Sequence, residues 1–195
     1  PDRDNDGWFD GHTDANHSPE IYIGRLSSSN MSENEAHLVN DYLDRNHAYR
    51  AGDKQLPPRA AVFFANDVEA PQYPQAIYGS QSVIHDVKID NPKTFMDYLG
   101  SNSGEMAIIG AHSHPLGHAF GKAQCSSFQI AQTLKNYHFY ILHCCSAGAF
   151  QQPYNLAHSY LLLNTQALWV ITVTKEAGAY FFNYNYAADF LFHNH

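Results

Sequence analysis

The stretch that decides the fold is Tyr140-Ile-Leu-His-Cys-Cys-Ser-Ala-Gly-Ala-Phe150. Its apolar run ends abruptly on cysteine and small residues follow at once, which is how a buried strand delivers a nucleophile to a sheet edge. A second apolar run, 106–111, ends in the same way on His112. Two neighbouring parallel strands with these ends would bring Cys145 and His112 together at the carboxyl edge of the sheet, where ligands collect in open α/β folds.

Strand-like apolar runs alternate with helix-like segments along the chain. This alternation predicts the fold class, a three-layer α/β/α sandwich with a mostly parallel sheet, and right-handed crossovers place successive strand ends on one edge. Ser32 and Glu35 have the spacing of a capping box, so a helix is expected after them. The segment 115–126 is expected to be a loop. The predicted strands are 20–26, 59–65, 82–89, 106–111, 137–142 and 168–174, and the later helices are 91–99, 127–136, 155–163 and 185–192.

The composition is that of a globular protein. Of the 195 residues, 44% are hydrophobic and 15% are charged, so the chain can bury one sizeable core. The net charge of -8 and the absence of a Lys/Arg cluster argue against nucleic acid as a partner. No apolar run is long enough to span a bilayer. Because Pro1 stands where an initiator Met would, residues 1–195 are expected to be a single domain cut from a longer chain.

The paired cysteine and histidine point to thiol chemistry. A thiolate is the reactive form of cysteine, and a neighbouring imidazolium favours it. Cys145 precedes Ser-Ala-Gly, and Ser113 follows His112, so the backbone amides of Cys145 and Ser113 are candidates for an oxyanion hole. Adjacent Cys144 should point to the opposite face, into the packing layer, and stay unreactive. The alternative is that the cysteine on this strand is a buried structural residue.

The same segments resemble the caspase-like cysteine peptidases, and within them the gingipain family. Two blocks, IIGAHSHP and ILHCCSAGAF, match a strand ending in His plus a small residue and a strand ending in Cys-x-x-Gly with an aromatic soon after. Two further blocks, SPEIYIGRLSSSN and ALWVITVTKEAGAYFF, are similar to the family's early strand-and-turn motif and its late strand. The resemblance covers about 18–190. This chain has Ala111-His112-Ser113 where the family usually has Gly-His-Gly, and Cys144 where it usually has Ala.

The resemblance implies a cysteine endopeptidase with Cys145 as nucleophile and His112 as the proton carrier. It also implies a caspase-like fold, a peptide or protein substrate, no cofactor required for catalysis, and a secreted or cell-surface location in a bacterium. An inactive relative that binds or sorts partners is the non-enzymatic alternative.

A metal site is the third possibility. HSHPLGH contains His112, His114 and His118, and His-x-His is a spacing that binds zinc. This segment also resembles part of the sequence of the JAMM zinc-dependent isopeptidases. Those enzymes need an Asp downstream, and this chain has none between His112 and Tyr140.

The acidic opening of the chain predicts a separate calcium site. Asp2, Asp4, Asp6 and Asp10 alternate around Gly7, and carboxylates spaced in this way can wrap a hard cation. Position twelve of this loop is Thr13, where an EF-hand has Glu. The alternative is a solvated acidic turn within 1–17.

Overall fold

A computed structural model of the chain describes residues 24–28, 31–65, 78, 85–89 and 91–176. In chain order the strands are β1 Ala60–Ala65, β2 His85–Ile89, β3 Gly104–Gly110, β4 His112–His114, β5 Gly117–Phe120, β6 Ala123–Ser126, β7 Tyr137–His143 and β8 Trp169–Ile171. The helices are α1 Glu35–Arg50, α2 Pro92–Ser101, α3 Ser127–Gln132 and α4 Leu156–Leu161.

The centre of the fold is a five-stranded parallel sheet with the strand order β2-β1-β3-β7-β8. Its inner strands β1, β3 and β7 are almost continuously buried, because a parallel sheet is covered on both faces. One face packs against Phe95 of α2, Ile130 of α3 and Tyr160 of α4. The other face packs against Tyr49 of α1. The predicted three-layer α/β/α sandwich is therefore confirmed.

Helix α1 forms where the sequence predicts it, but the residue that caps it differs. The side chain of Asn34 accepts a hydrogen bond from the amide of His37, so Asn34 is the N-cap and the predicted Ser32–Glu35 capping box is wrong. Glu35 instead accepts a hydrogen bond from the amide of Ser28, outside the helix. Asparagine and serine cap equally well, so the spacing alone did not choose between them.

Strands β4, β5 and β6 form a small antiparallel sheet, and β5 and β6 occupy the segment 115–126 that was predicted as a loop. Its strands have three or four residues each, too short for the alternation of apolar and polar residues to be recognised. Gly117 is required in β5, since a Cβ there would lie 2.8 Å from the carbonyl oxygen of Cys125. Gly121 has a φ of +63° in the turn between β5 and β6.

The remaining elements follow the predictions with shifted ends. Helix α2 begins at Pro92 with Asn91 as its N-cap, as predicted. Helix α3 ends at Gln132 rather than 136, and β8 is confined to Trp169–Ile171. The predicted terminal helix 185–192 and most of the predicted strand 20–26 lie outside the described residues. Within the described part of the chain, the helices are too short or too polar to cross a membrane.

Candidate active site

The candidate dyad lies where two central strands end together. Strands β3 and β7 pair in parallel, and the last pair in their register joins Gly110 to His143. His112 and Cys145 each stand two residues beyond this pair in the sequence. Both therefore follow strands that end at the same carboxyl edge of the sheet.

The two adjacent cysteines have different environments. Cys144 is 2% exposed and belongs to the core between the sheet and helices α2, α3 and α4, as its place in the packing layer predicts. Burial raises the pKa of its thiol to about 12, because the charged thiolate is disfavoured away from water. Cys145 is only partly buried. Of the two cysteines, Cys145 is the more accessible.

Residues 144–148, which we call the cysteine turn, are held against the chain that follows β8. Ser146 has a φ of 54°, which is uncommon for a residue other than glycine, and its amide donates to the carbonyl of Lys175 at 2.9 Å. The amide of Gly148 donates to the carbonyl of Val173 at 2.9 Å. A Cβ on Gly148 would lie 2.7 Å from Cγ2 of Thr172. The Cys-x-x-Gly spacing therefore has a steric reason in this chain.

On the histidine side, β4 places alternate residues on opposite faces. His112 and His114 are exposed, and Ser113 between them is partly buried. The hydroxyl of Ser113 donates a hydrogen bond to the carbonyl of Cys145. The sequence predicts a role for the Ser113 amide, but this side-chain contact with the cysteine turn carries no signal in the sequence.

His118 is separated from the other two histidines of HSHPLGH. It pairs with Ser113 across the β4–β5 hairpin, so its side chain shares the face opposite to that of His112 and His114. It is fully buried, and burial lowers the pKa of its imidazole to about 3. Its Nε2 lies 3.0 Å from the hydroxyl of Tyr160 and its Nδ1 lies 3.5 Å from Sγ of Cys144.

The pleat of the hairpin thus keeps His118 away from His112 and His114, the two histidines that the zinc alternative uses. His112 and His114 share a face, and Nδ1 of His114 accepts a hydrogen bond from the amide of Leu116 at 3.3 Å. Within the ranges that the structure describes, no group of three or more His, Cys, Asp or Glu side chains could hold a metal ion. The predicted calcium ligands Asp2, Asp4, Asp6 and Asp10 lie outside those ranges.

The loop that follows the cysteine turn is braced by the segment before α1. The hydroxyl of Tyr154 donates to Oε2 of Glu33 at 2.7 Å, and the guanidinium of Arg25 lies 4.2 Å from the centre of the Phe150 ring. On its other side, the amide of Leu156 donates to the carbonyl of Pro115, just beyond β4, at 2.8 Å. Two of the sequence blocks quoted above thus meet in space at Arg25 and Phe150.

Comparison with known proteins establishes the fold. No model of a protein family matches the sequence, and no curated protein matches it. Among solved structures, the chain resembles a protease at a TM-score of 0.56 and 14% identity, over 76% of this chain and 36% of that protein. At this identity the similarity shows a shared fold alone.

Two gingipain structures also align with the chain, at TM-scores below 0.5. One is the complex of the pro- and mature domains of Porphyromonas gingivalis RgpB, at a TM-score of 0.49 and 18% identity over 70% of this chain and 38% of that one. The other is the Arg-specific cysteine proteinase gingipain R, at a TM-score of 0.48 and 16% identity over 72% of this chain and 38% of that one. The chain thus spans little more than a third of the length of each of these proteins.

Proposed function

We propose that this chain contains the catalytic site of a cysteine endopeptidase, with Cys145 as nucleophile and His112 as its acid–base partner. The observation that carries the proposal is the matched register of β3 and β7, which ends on Gly110 and His143 and leaves both residues at one edge. The accessibility of the side chains supports it, since His112 is exposed and Cys145 is partly buried, while Cys144 is enclosed.

The reaction proceeds in two halves. The Cys145 thiolate attacks the carbonyl carbon of the scissile peptide bond, a C–S bond forms, and the carbonyl electron pair moves onto oxygen. The tetrahedral intermediate collapses, the C–N bond breaks, and protonated His112 gives its proton to the leaving amine. Neutral His112 then takes a proton from water, which attacks the thioester and releases the carboxylic acid and the free thiolate.

The developing oxyanion needs donors close to Cys145. The backbone amides of Cys145 and Ser113 are our candidates, because these residues are joined by the hydrogen bond from the Ser113 hydroxyl to the Cys145 carbonyl. The substrate is a peptide or protein.

The test is a peptide-library digest by the full chain. We expect Cys145→Ala and His112→Ala each to abolish cleavage, whereas Cys144→Ala, which removes the adjacent thiol but no reacting group, should slow cleavage without abolishing it. Cleavage by the wild type should survive zinc chelation and the change His114→Ala. Activity that tolerates Cys145→Ala but is lost with the chelator and with His114→Ala would instead favour a zinc-dependent (iso)peptidase using His112 and His114.

An inactive binding or sorting domain is distinguished by a thiol-reactive peptide probe. An active site labels at Cys145, and the labelling disappears in His112→Ala. If the wild type cleaves no library peptide and its Cys145 labels no faster than in the unfolded chain, the endopeptidase proposal is overturned.

We further propose that the opening segment binds Ca²⁺ through Asp2, Asp4, Asp6 and Asp10, in a protein that acts outside the cell. A ligand that binds only the folded state raises its melting temperature. Added calcium should therefore raise the melting temperature of the wild type and leave that of an Asp4→Asn/Asp6→Asn variant unchanged. An unchanged wild type over a wide calcium range would identify a solvated turn.

A further inference from the structure

Two side-chain contacts join the β4–β5 hairpin to the cysteine turn. The Ser113 hydroxyl donates to the carbonyl of Cys145, and Nδ1 of His118 lies 3.5 Å from Sγ of Cys144. Ser113 and His118 are directly opposite each other in the β4–β5 register. Their side chains contact Cys145 and Cys144, which are successive residues of the cysteine turn.

The contact between His118 and Cys144 is part of a chain of hydrogen bonds in which each donor has an acceptor. The Cys144 thiol donates to the carbonyl of Ile109 at 3.4 Å, so its sulfur is free to accept from Nδ1–H of His118. The other ring nitrogen of His118, Nε2, then accepts from the hydroxyl of Tyr160 at 3.0 Å. A neutral imidazole is required for this arrangement, and the low pKa of buried His118 supplies one.

This network fixes the geometry between the candidate catalytic groups. His112 is the chain neighbour of Ser113, and Cys145 is the chain neighbour of Cys144, so each contact acts one residue away from a reacting side chain. His118, Cys144 and Tyr160 are all at most 2% exposed. Closely packed interiors resist small displacements, so the hairpin and the cysteine turn cannot shift independently.

We propose that Ser113 and His118 are positioning residues that hold His112 at its working distance from Cys145. The proposal rests on the proposed function of the dyad and adds two side chains, the Ser113 hydroxyl and the His118 imidazole, that take no part in the reaction themselves. Ser113 and Cys144 are also two of the three positions where the chain departs from the gingipain pattern around His and Cys, the third being Ala111. Each of the two contacts includes one of these side chains.

The experiment measures the rate at which iodoacetamide alkylates Cys145 in the folded full chain, with fragment mass spectrometry to separate Cys145 from Cys144. Rates are compared at about pH 6.5 and about pH 9, since an imidazole partner keeps a thiol reactive below neutral pH. The variants are His112→Ala, Ser113→Ala, Ser113→Thr and His118→Gln. The matched control is His138→Gln, which removes another buried imidazole, 2% exposed and far along β7 from the cysteine turn.

We expect Ser113→Ala and His118→Gln to lower the rate near pH 6.5 by on the order of 10-fold, since small misplacements of reacting groups are costly. Their rates near pH 9 should approach that of the wild type. Ser113→Thr, which keeps the hydroxyl, should restore the wild-type profile, and His138→Gln should leave it unchanged. A merely structural loss would lower the melting temperature in both histidine variants without changing the pH profile of Cys145.

Three outcomes are decisive. If His112→Ala lowers the rate but Ser113→Ala and His118→Gln match the wild type, the positioning proposal is overturned while the dyad stands. If His112→Ala itself matches the wild type, the dyad fails, and with it the proposed function. If His118→Gln does not fold, the pair Ser113→Ala and Ser113→Thr still decides, because Ser113 is only partly buried on the short strand β4.

Discussion

The two edges of the parallel sheet satisfy their buried polar groups in different ways. At the amino edge, Lys135 is fully buried and its ammonium donates to the carbonyls of Ile130 and Thr133, both at 2.8 Å. These carbonyls stand at the end of α3, where a helix leaves carbonyls in need of partners, and that of Ile130 also accepts from the amide of Thr133 at 3.1 Å. At the carboxyl edge, the side chains of Ser113 and His118 instead contact the cysteine turn, which belongs to another element.

The contacts of Lys135 at the amino edge stabilise the fold, whereas those of Ser113 and His118 at the carboxyl edge join the two segments that carry the candidate site. A buried cation that pairs with helix-end carbonyls stabilises one helix end. Contacts between two loops fix a distance between groups that stay accessible, as His112 and Cys145 are. We expect changes at the amino edge to alter stability and changes at the carboxyl edge to alter reactivity.

The largest effect concerns the three thiols. Burial raises the pKa of Cys125 and of Cys144 to about 12, so neither forms the reactive thiolate in the folded protein near neutral pH. Cys145 should react with iodoacetamide roughly 10³-fold faster than either, and the difference should vanish in denaturant. Mass spectrometry of the native and unfolded chains measures both. Preferential modification of Cys144 in the folded chain would mean that the nucleophile is the other cysteine.

The second effect tests the amino edge. Burial lowers the pKa of Lys135 from 10.5 to about 7, so between these values the unfolded chain binds more protons than the folded protein. The free energy of unfolding should therefore rise with pH, by about 2 kcal/mol from about pH 7 to about pH 9. Below the folded pKa both states are protonated, and the contribution stays constant at its lowest value.

The control for this pH effect is Lys135→Met, which keeps an unbranched chain and loses the titrating group. Urea unfolding of both proteins at each pH isolates the contribution of Lys135 as their difference. A difference that does not change with pH would show that the lysine stays charged in the folded protein. Cys145 alkylation in Lys135→Met should match the wild type.

A third effect tests the fit of the cysteine turn against the chain after β8. Gly148→Ala places a Cβ 2.7 Å from Cγ2 of Thr172 and 3.3 Å from the carbonyl oxygen of Val173. We expect a loss of about 1–2 kcal/mol in unfolding free energy, together with slower alkylation of Cys145. Thr172→Ser removes the first clash and keeps the hydroxyl that donates to Leu142. The double variant should recover part of both losses, and strict additivity would contradict the steric explanation.

The smallest effect concerns the far end of the buried network. Tyr160→Phe leaves Nε2 of His118 without its partner, at a cost of about 1 kcal/mol in stability. The alkylation profile of Cys145 should move in the same direction as in His118→Gln, but less. Tyr98→Phe, at a residue 39% exposed, is the control and should change neither quantity. A larger shift in Tyr160→Phe than in His118→Gln would place the positioning role on the tyrosine.

The sequence predicted the parallel strands of the core because their apolar runs are continuous. Strands β1, β3 and β7 each lie within one residue of the predicted start or end on at least one side. Continuous apolar runs are what burial on both faces requires, so the pattern and the structure express the same constraint. The antiparallel sheet at 112–126 escaped prediction because its strands are short and paired by local turns.

By itself, the sequence determined that the chain is an α/β domain and that His112 and Cys145 each follow closely on an apolar strand. The sequence did not determine which histidines of HSHPLGH are buried and which are exposed. Pairing of Ser113 with His118 across the hairpin sends His118 into the core and leaves His112 and His114 outside. Tertiary structure alone decided this, because the face on which a strand residue lies depends on its partner in the register, which is a contact between residues apart in sequence.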